Sequence, residues 1–252
     1  MSAVAAKILQ QAASAGELAV NEMFASLQGE GPSAGQCAVF LRLGGCNLDC
    51  GVGQGARWSC DTPYTWKWDE PGIEPTKELT ATSIDKAVAE VARHQTRRVV
   101  ITGGEPLLQQ RALIPLVTQL CEAGYLVEVE TNGTIAPMPE LSETTAQFNV
   151  SPKLSSSGVR YSKRLSPSAL TPFKSSGKAI FKFVITDPAL DLPEVEEVVG
   201  AHGLDPVWLL PEGTDKATVL GGMRALADLA IPRGWAVSPR LHILMWGDER
   251  GR

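Results

Sequence analysis

Three of the chain's five cysteines, Cys46, Cys50 and Cys60, fall within fifteen residues. A thiol with a free pKa of about 8.5 becomes a thiolate once it binds a soft metal, so such a group points to a metal centre. Structural zinc usually takes four protein ligands in paired short spacings. Here there is no Cys-x2-Cys, and no His pair either, because His94, His202 and His242 are scattered. An iron–sulfur cluster also usually takes four cysteines. Three would leave one iron open to a small molecule. An odd number of cysteines in a chain that reads as cytoplasmic favours metal or redox chemistry over a disulfide framework. Cys37 and Cys121, in or beside apolar runs, read as buried small hydrophobes.

Other residues can bind rather than react. Gly103 and Gly104 follow a strand ending at Ile101, where a backbone without Cβ lets a ligand approach closely. Arg42 sits four residues before Cys46 on an alternating strand, and a buried guanidinium there needs an anionic partner. The Ser- and Pro-rich stretch 151–177 carries Lys153, Arg160, Lys163, Arg164 and Lys174, with Lys178 just beyond. It reads either as a solvated loop or as a segment that holds an anion. No Gly-x4-Gly-Lys-Ser/Thr occurs, so there is no P-loop.

The elements that must position these residues follow from periodicity. Runs of strand length occur at 38–43, 98–101, 125–130, 147–150, 179–185, 206–210 and 241–245. Helical spacing places Ile84, Val88 and Val91 on one face after Ser83, a plausible cap. Leu113, Leu116, Val117 and Leu120 share a second face; Val195, Val198 and Val199 a third; Met223, Leu226 and Leu229 a fourth. Strands alternating with helices imply βαβ units and a parallel sheet or barrel. The segment 51–75, rich in Gly, Pro and Trp, breaks the rhythm directly after two of the clustered cysteines and reads as a functional loop.

The 252 residues suggest one large domain or two small ones, and composition marks no clean boundary between domains. A hydrophobic content of 44%, with 20% charged residues, excludes a disordered or collagen-like chain. A net charge of −5 argues against nucleic acid as a partner. No apolar run reaches the roughly 18 residues of a membrane span, and the Ala-rich opening stretch lacks the compact apolar core of a secretory signal.

Several blocks together resemble a known family. Cys46-Asn-Leu-Asp-Cys50, preceded by Phe40-Leu-Arg-Leu-Gly-Gly45 and followed at Cys60 by Asp61-Thr62-Pro63-Tyr64, is similar to the cluster loop of radical S-adenosylmethionine enzymes. The usual spacing is Cys-x3-Cys-x2-Cys, whereas here nine residues separate the second and third cysteines. With Ser26-Leu-Gln-Gly-Glu-Gly31, Thr102-Gly-Gly-Glu-Pro106, Glu130-Thr-Asn-Gly-Thr134 and Ser151-Pro-Lys153, the ensemble resembles the 7-carboxy-7-deazaguanine synthases of that superfamily, some of which carry inserted cluster loops. The likeness runs from about Asn21 to the C-terminus. It makes residues 1–20 an N-terminal extension and 21–252 a radical S-adenosylmethionine catalytic domain with an inserted loop at 51–59.

The resemblance implies an α/β fold, a partial (βα)6-type barrel with its active site at the strands' C-terminal ends. It implies that Cys46, Cys50 and Cys60 bind a [4Fe–4S] cluster whose open iron takes S-adenosylmethionine, with Thr62 as a ligand to Mg²⁺. Ser59, Asp61, Gly104, Ser151, Pro152, Lys153 and the turn Pro211, Glu212, Gly213 and Thr214 match S-adenosylmethionine positions. Gln28, Gly29, Glu30, Arg42, Thr102, His242 and Arg252 match substrate positions; Gln28, Gly29 and Glu30 offer an amide and a carboxylate suited to the donor–acceptor edge of a pterin. The implied activity is a lyase reaction in queuosine and deazapurine biosynthesis. A 5′-deoxyadenosyl radical takes hydrogen from 6-carboxy-5,6,7,8-tetrahydropterin, and ring contraction with loss of ammonia yields 7-carboxy-7-deazaguanine. A flavodoxin- or ferredoxin-type electron donor and a homodimer are also implied. Two rivals stay open at this point: an activase that places a glycyl radical on a partner protein, and a zinc-stabilised binding module.

Overall fold

Along the strands at 126–131 and 147–150 apolar residues alternate with polar or charged ones, and the neighbouring strands add single polar residues, Arg42, Thr102 and Lys182, to otherwise apolar runs. A period of two puts the two sets on opposite faces of a sheet. The computed structural model describes residues 2–252 and shows this division. Nine strands form one sheet: β1 (Leu18–Leu27), β2 (Cys37–Leu43), β3 (Thr80–Thr82), β4 (Arg98–Gly103), β5 (Leu126–Thr131), β6 (Gln147–Val150), β7 (Ala179–Ile185), β8 (Val207–Pro211) and β9 (Ala236–Val237). Their order is β3-β1-β2-β4-β5-β6-β7-β8-β9. All neighbours from β2 to β9 run parallel, and β1 pairs antiparallel with both β2 and β3.

The apolar set, including Leu41, Ile101, Val129, Phe148, Phe181 and Leu209, is fully buried in the main core, under helices Ile84–Ala92, Gln110–Glu122, Pro188–His202 and Lys216–Ala230. Each helix carries the stripe its sequence announces: Leu113, Leu116, Val117 and Leu120 are all buried. The expected cap is present, with Ser83 Oγ accepting from the Lys86 amide at 3.3 Å. Asp187 and Asp215 cap the last two helices in the same way.

The sheet is not closed, yet its two ends meet. The Gly31 amide donates to Ser238 Oγ at 2.7 Å and the Leu241 amide to the Gly29 carbonyl at 2.9 Å. The segment after β1 is thereby tied to the segment after β9, and the sheet curls into the expected partial barrel. Its concave face carries Arg42, Thr102, Glu130, Asn149 and Lys182, and registers Arg42 beside Thr102 and Glu130 beside Asn149.

Several local expectations are corrected. The run 241–245 is the helix Leu241–Trp246, not a strand; a short apolar run fits either period. The stretch 151–177 is not irregular throughout, because Tyr161–Arg164 and Pro167–Ser176 are helical. Pro167 takes a first-turn position that lacks an intrahelical donor anyway. Cys37 is exposed, whereas Cys121 packs against the core and donates to the Thr144 carbonyl at 3.1 Å. Strand β1 begins at Leu18, so the last residues before Asn21 already belong to the sheet. Helix Ala3–Ala15 packs near Trp68 and Leu79 through Ala5, Ile8 and Leu9.

Candidate active site

The concave face and the loops above it enclose a cavity of about 390 Å³, within the range of small-molecule sites. Gln28, Gly29, Glu30, Arg42, Cys46, Cys50, Ser59, Cys60, Asp61, Thr62, Thr102, Gly104, Ser151, Lys153, Glu212, Thr214, His242 and Arg252 all line it. Pro152, Pro211 and Gly213 are buried and do not line it. Gly213 instead offers its carbonyl to Arg240 Nη1 at 2.8 Å.

The cysteine loop is positioned by backbone and amide contacts. The Gly45 amide donates to the Thr65 carbonyl, and the Gly45 carbonyl accepts from the Glu105 amide, both at 2.8 Å. Asn47 Nδ2 donates to Thr134 Oγ1 at 2.7 Å and Asn47 Oδ1 accepts from Asn132 Nδ2 at 2.9 Å. Glu105 is fully buried and accepts from the amides of Leu107 and Asn132 and from the Thr131 hydroxyl, joining the turns after β4 and β5. Burial pushes its carboxyl above the ordinary range. Gly104 has a sharper reason than ligand access: a Cβ there would lie 2.3 Å from the Gly45 carbonyl oxygen and 2.8 Å from Cys46 Cβ. Any side chain at this position would displace the cysteine loop itself.

Cys46, Cys50 and Cys60 share one apolar cluster with Leu48, Trp58 and Val159. The Leu48 amide donates to Cys46 Sγ, and Trp66 Nε1 to Cys60 Sγ, each at 3.4 Å. Burial pushes the Cys46 thiol up to about 12 and the Cys50 thiol up to about 11. Without metal these are neutral thiols, and metal binding must displace their protons. Among the described residues no group of three His, Cys, Asp or Glu is arranged to hold a single metal ion. Three sulfurs lining a roomy cavity, two of them already accepting N–H donors, fit a multi-iron cluster better than a lone zinc.

The floor is a charged network whose parts lie far apart in the chain. Lys182 Nζ is 2.5 Å from Glu130 Oε2 and 3.0 Å from Glu30 Oε2. Arg240 reaches Glu30 at 3.3 Å and Asp61 at 2.9 Å. Gln28 Nε2 donates to Glu130 Oε1 at 3.1 Å. Burial opposes the charge on Glu30, but Lys182, Arg240 and His242 outweigh it and hold the carboxyl at about 2. Burial likewise opposes charge on Lys182, but Glu130 and Glu30 prevail and raise its pKa. Burial lowers the pKa of His242. His242 also packs so tightly on the chain that a Cβ at Gly29 would lie 2.1 Å from its Nδ1.

Sequence reasoning misses Glu130, Lys182 and Arg240 as members of the floor. Glu130 opens a block already singled out, and Lys182 is the one charge in an otherwise apolar strand, which is the signal that could have found it. The basic stretch 151–177 is largely structural. Arg164 pairs with Glu194 at 2.6 Å and donates to the Lys153 carbonyl, Lys163 pairs with Asp49 at 3.1 Å, and Lys178 serves helix-end carbonyls. Only Lys153 of that set faces the cavity.

An open α/β barrel with three cysteines at the mouth of its concave face defines the radical S-adenosylmethionine class of iron–sulfur enzymes. Residues 27–195 match the family described as a 4Fe-4S single cluster domain. The 7-carboxy-7-deazaguanine synthase of Pyrobaculum aerophilum is 42% identical, covering 92% of this chain and 96% of its own length. That of Halobacterium salinarum is 36% identical, covering 95% of each. The crystal structure of QueE from Escherichia coli aligns with a TM-score of 0.67 at 27% identity, over 91% of this chain and 96% of that one. The chain belongs to the 7-carboxy-7-deazaguanine synthase family.

Proposed function

We propose that the chain converts 6-carboxy-5,6,7,8-tetrahydropterin to 7-carboxy-7-deazaguanine, with ring contraction and loss of ammonia, in queuosine or deazapurine biosynthesis. The observation that carries this reading is a single cavity in which the cysteine cluster faces a guanidinium, an amide and an ordered carboxylate–lysine network. An activase would need a broad docking surface instead, and would leave Gln28, Glu30 and Arg42 without a purpose.

Cys46, Cys50 and Cys60 hold the [4Fe–4S] cluster. Ser59, Asp61, Gly104, Ser151, Lys153, Glu212 and Thr214 form the S-adenosylmethionine side, with Pro152, Pro211 and Gly213 shaping the backbone behind them. When bound, the cluster and S-adenosylmethionine supply the one-electron chemistry that removes a hydrogen atom from a substrate carbon. Arg42 binds the substrate carboxylate and Thr102 lies beside it in register. Gln28 and Glu30 offer the acceptor and donor set for the pterin edge, held in place by Glu130 and Lys182. His242 offers one hydrogen bond to the substrate, and Arg252 closes the cavity at the tail. Trp58, Trp66, Phe24 and Phe40 line the same space and exclude water, which protects a reactive carbon centre. Thr62 offers Mg²⁺ a hydroxyl oxygen of the hard kind that ion takes, with water and substrate oxygens completing its shell.

The reducing electron comes from a flavodoxin- or ferredoxin-type donor, and the chain acts as a cytoplasmic homodimer; both statements rest on the family likeness. No helix among the described residues is long and apolar enough to cross a membrane. Anaerobic incubation of the reconstituted protein with reductant, S-adenosylmethionine and the carboxypterin tests the reading. The deazapurine is the expected product, and 5′-deoxyadenosine alone would reassign the substrate.

A further inference from the structure

We propose that Trp58 donates its indole N–H to a sulfur of the [4Fe–4S] cluster, so that residues 51–59 carry a redox-tuning donor and do not merely separate Cys50 from Cys60. This rests on the reading that Cys46, Cys50 and Cys60 hold that cluster.

The inserted loop is fastened to the body of the protein. The Gly51 amide donates to the Ser157 carbonyl at 2.9 Å and the Arg57 amide to the Ser156 carbonyl at 2.8 Å. Arg57 pairs through Nη2 with Asp191, whose side chain is fully buried, and donates through Nε to Thr186 Oγ1 at 3.0 Å. Backbone also meets backbone closely: a Cβ at Gly53 would lie 2.0 Å from the Gly158 carbonyl oxygen. Trp58, next after Arg57 and two residues before Cys60, is therefore held from both sides.

Its indole packs with Leu48, Cys50 and Val159, beside Cys46 and Cys60, and lines the cavity. Yet Nε1 is fully buried and has no hydrogen-bond partner among the described residues. Buried indole N–H groups almost always find an acceptor, so an orphan at a ligand site marks the place of an absent one. The acceptors that belong in this apolar cluster are sulfurs. The second indole here already does this, since Trp66 Nε1 donates to Cys60 Sγ at 3.4 Å. A hydrogen bond to a cluster sulfur stabilises the more negative, reduced state and raises the reduction potential.

The test uses the anaerobically reconstituted holoprotein. Trp58→Phe keeps the ring and removes the N–H. Iron content and the reduced-state EPR signal should be retained, the midpoint potential should shift to a more negative value, and one exchangeable-proton coupling to the reduced cluster should vanish in ENDOR. An unchanged potential with all couplings intact overturns the proposal, and so does a loss confined to S-adenosylmethionine affinity. If Trp58→Phe fails to retain iron, ¹⁵N-indole-labelled Trp66→Phe protein decides: a surviving ¹⁵N coupling supports Trp58 as donor, and none overturns it. Failure of the wild-type protein to take up iron would instead remove the underlying assignment of the cysteines.

Discussion

Glu22 and Arg42 stand opposite each other on the antiparallel strands β1 and β2, with Arg42 Nε 2.7 Å from Glu22 Oε1. The second oxygen of Glu22 takes Arg250 Nε at 3.0 Å. The cavity guanidinium is thus neutralised by its own protein, and no ligand is needed to offset its burial. What remains for a ligand is a fixed pair of Nη groups, neither of which has a hydrogen-bond partner among the described residues. In the proposed reading Glu22 orients the guanidinium and its Nη groups take the substrate carboxylate.

Arg42→Ala should therefore weaken the carboxypterin selectively. A hydrogen bond to a charged group contributes about 1.5–3 kcal/mol, so KM for the carboxypterin should rise roughly tenfold to a hundredfold. Steady-state kinetics with each substrate varied in turn will show it. Equal weakening of S-adenosylmethionine would contradict the assignment. Glu22→Gln, which keeps the guanidinium, should have a smaller effect in the same direction.

Cys46→Ala should abolish iron retention and S-adenosylmethionine cleavage, whereas Cys121→Ala should leave both intact. Cys121 lies at the helix end beside Thr144, away from the cavity. Iron analysis of the two variants, reconstituted side by side, separates them. Comparable loss in both would contradict the ligand set.

Thiol chemistry of the metal-free protein gives an independent check. Only the thiolate is nucleophilic, and burial pushes Cys46 up to about 12 and Cys50 up to about 11. Alkylation at pH 8, followed residue by residue by mass spectrometry, should leave both largely unmodified while the exposed Cys37 reacts. Rates for Cys46 and Cys50 equal to that of Cys37 would contradict their burial.

The floor network predicts an acid transition. Glu30 is held at about 2, below its ordinary 4.5, because Lys182, Arg240 and His242 outweigh its burial. A depressed carboxyl gives stability that is complete above the unfolded value and is lost as pH falls through the folded one. The window therefore runs from about pH 5 down to about 2, with a contribution of about 3 kcal/mol. Glu30→Gln should be less stable at pH 7 by up to that amount, and the gap should close across the window. Urea titrations at stepped pH measure it; a gap that is constant with pH would contradict the network.

Much of this was legible in the sequence because it is local. The strand 147–150 and the four helical stripes follow from period, the strand 179–185 from a short apolar run rich in β-branched and aromatic residues, and the cysteine loop from spacing. Strand β1 escapes because its pairing shifts register between Val20 and Glu22, which breaks the alternation there. Helix Leu241–Trp246 is misread because six residues are too few to separate the two periods. Lys182 reads as a stray charge until folding brings Glu130 and Glu30, 52 and 152 residues away, against it. Arg42 looks like a charge awaiting substrate until β1 supplies Glu22. Contacts made by one element within itself can be read from the sequence, whereas those made between distant strands cannot.

The most direct measurement is the ENDOR spectrum of the reduced protein with S-adenosylmethionine labelled with ¹⁵N at its amino group. A three-cysteine cluster with one open iron predicts a strong ¹⁵N coupling that disappears when the labelled compound is withheld. A reduced cluster whose spectrum is the same with and without it would show that no iron takes this ligand, and would contradict the account.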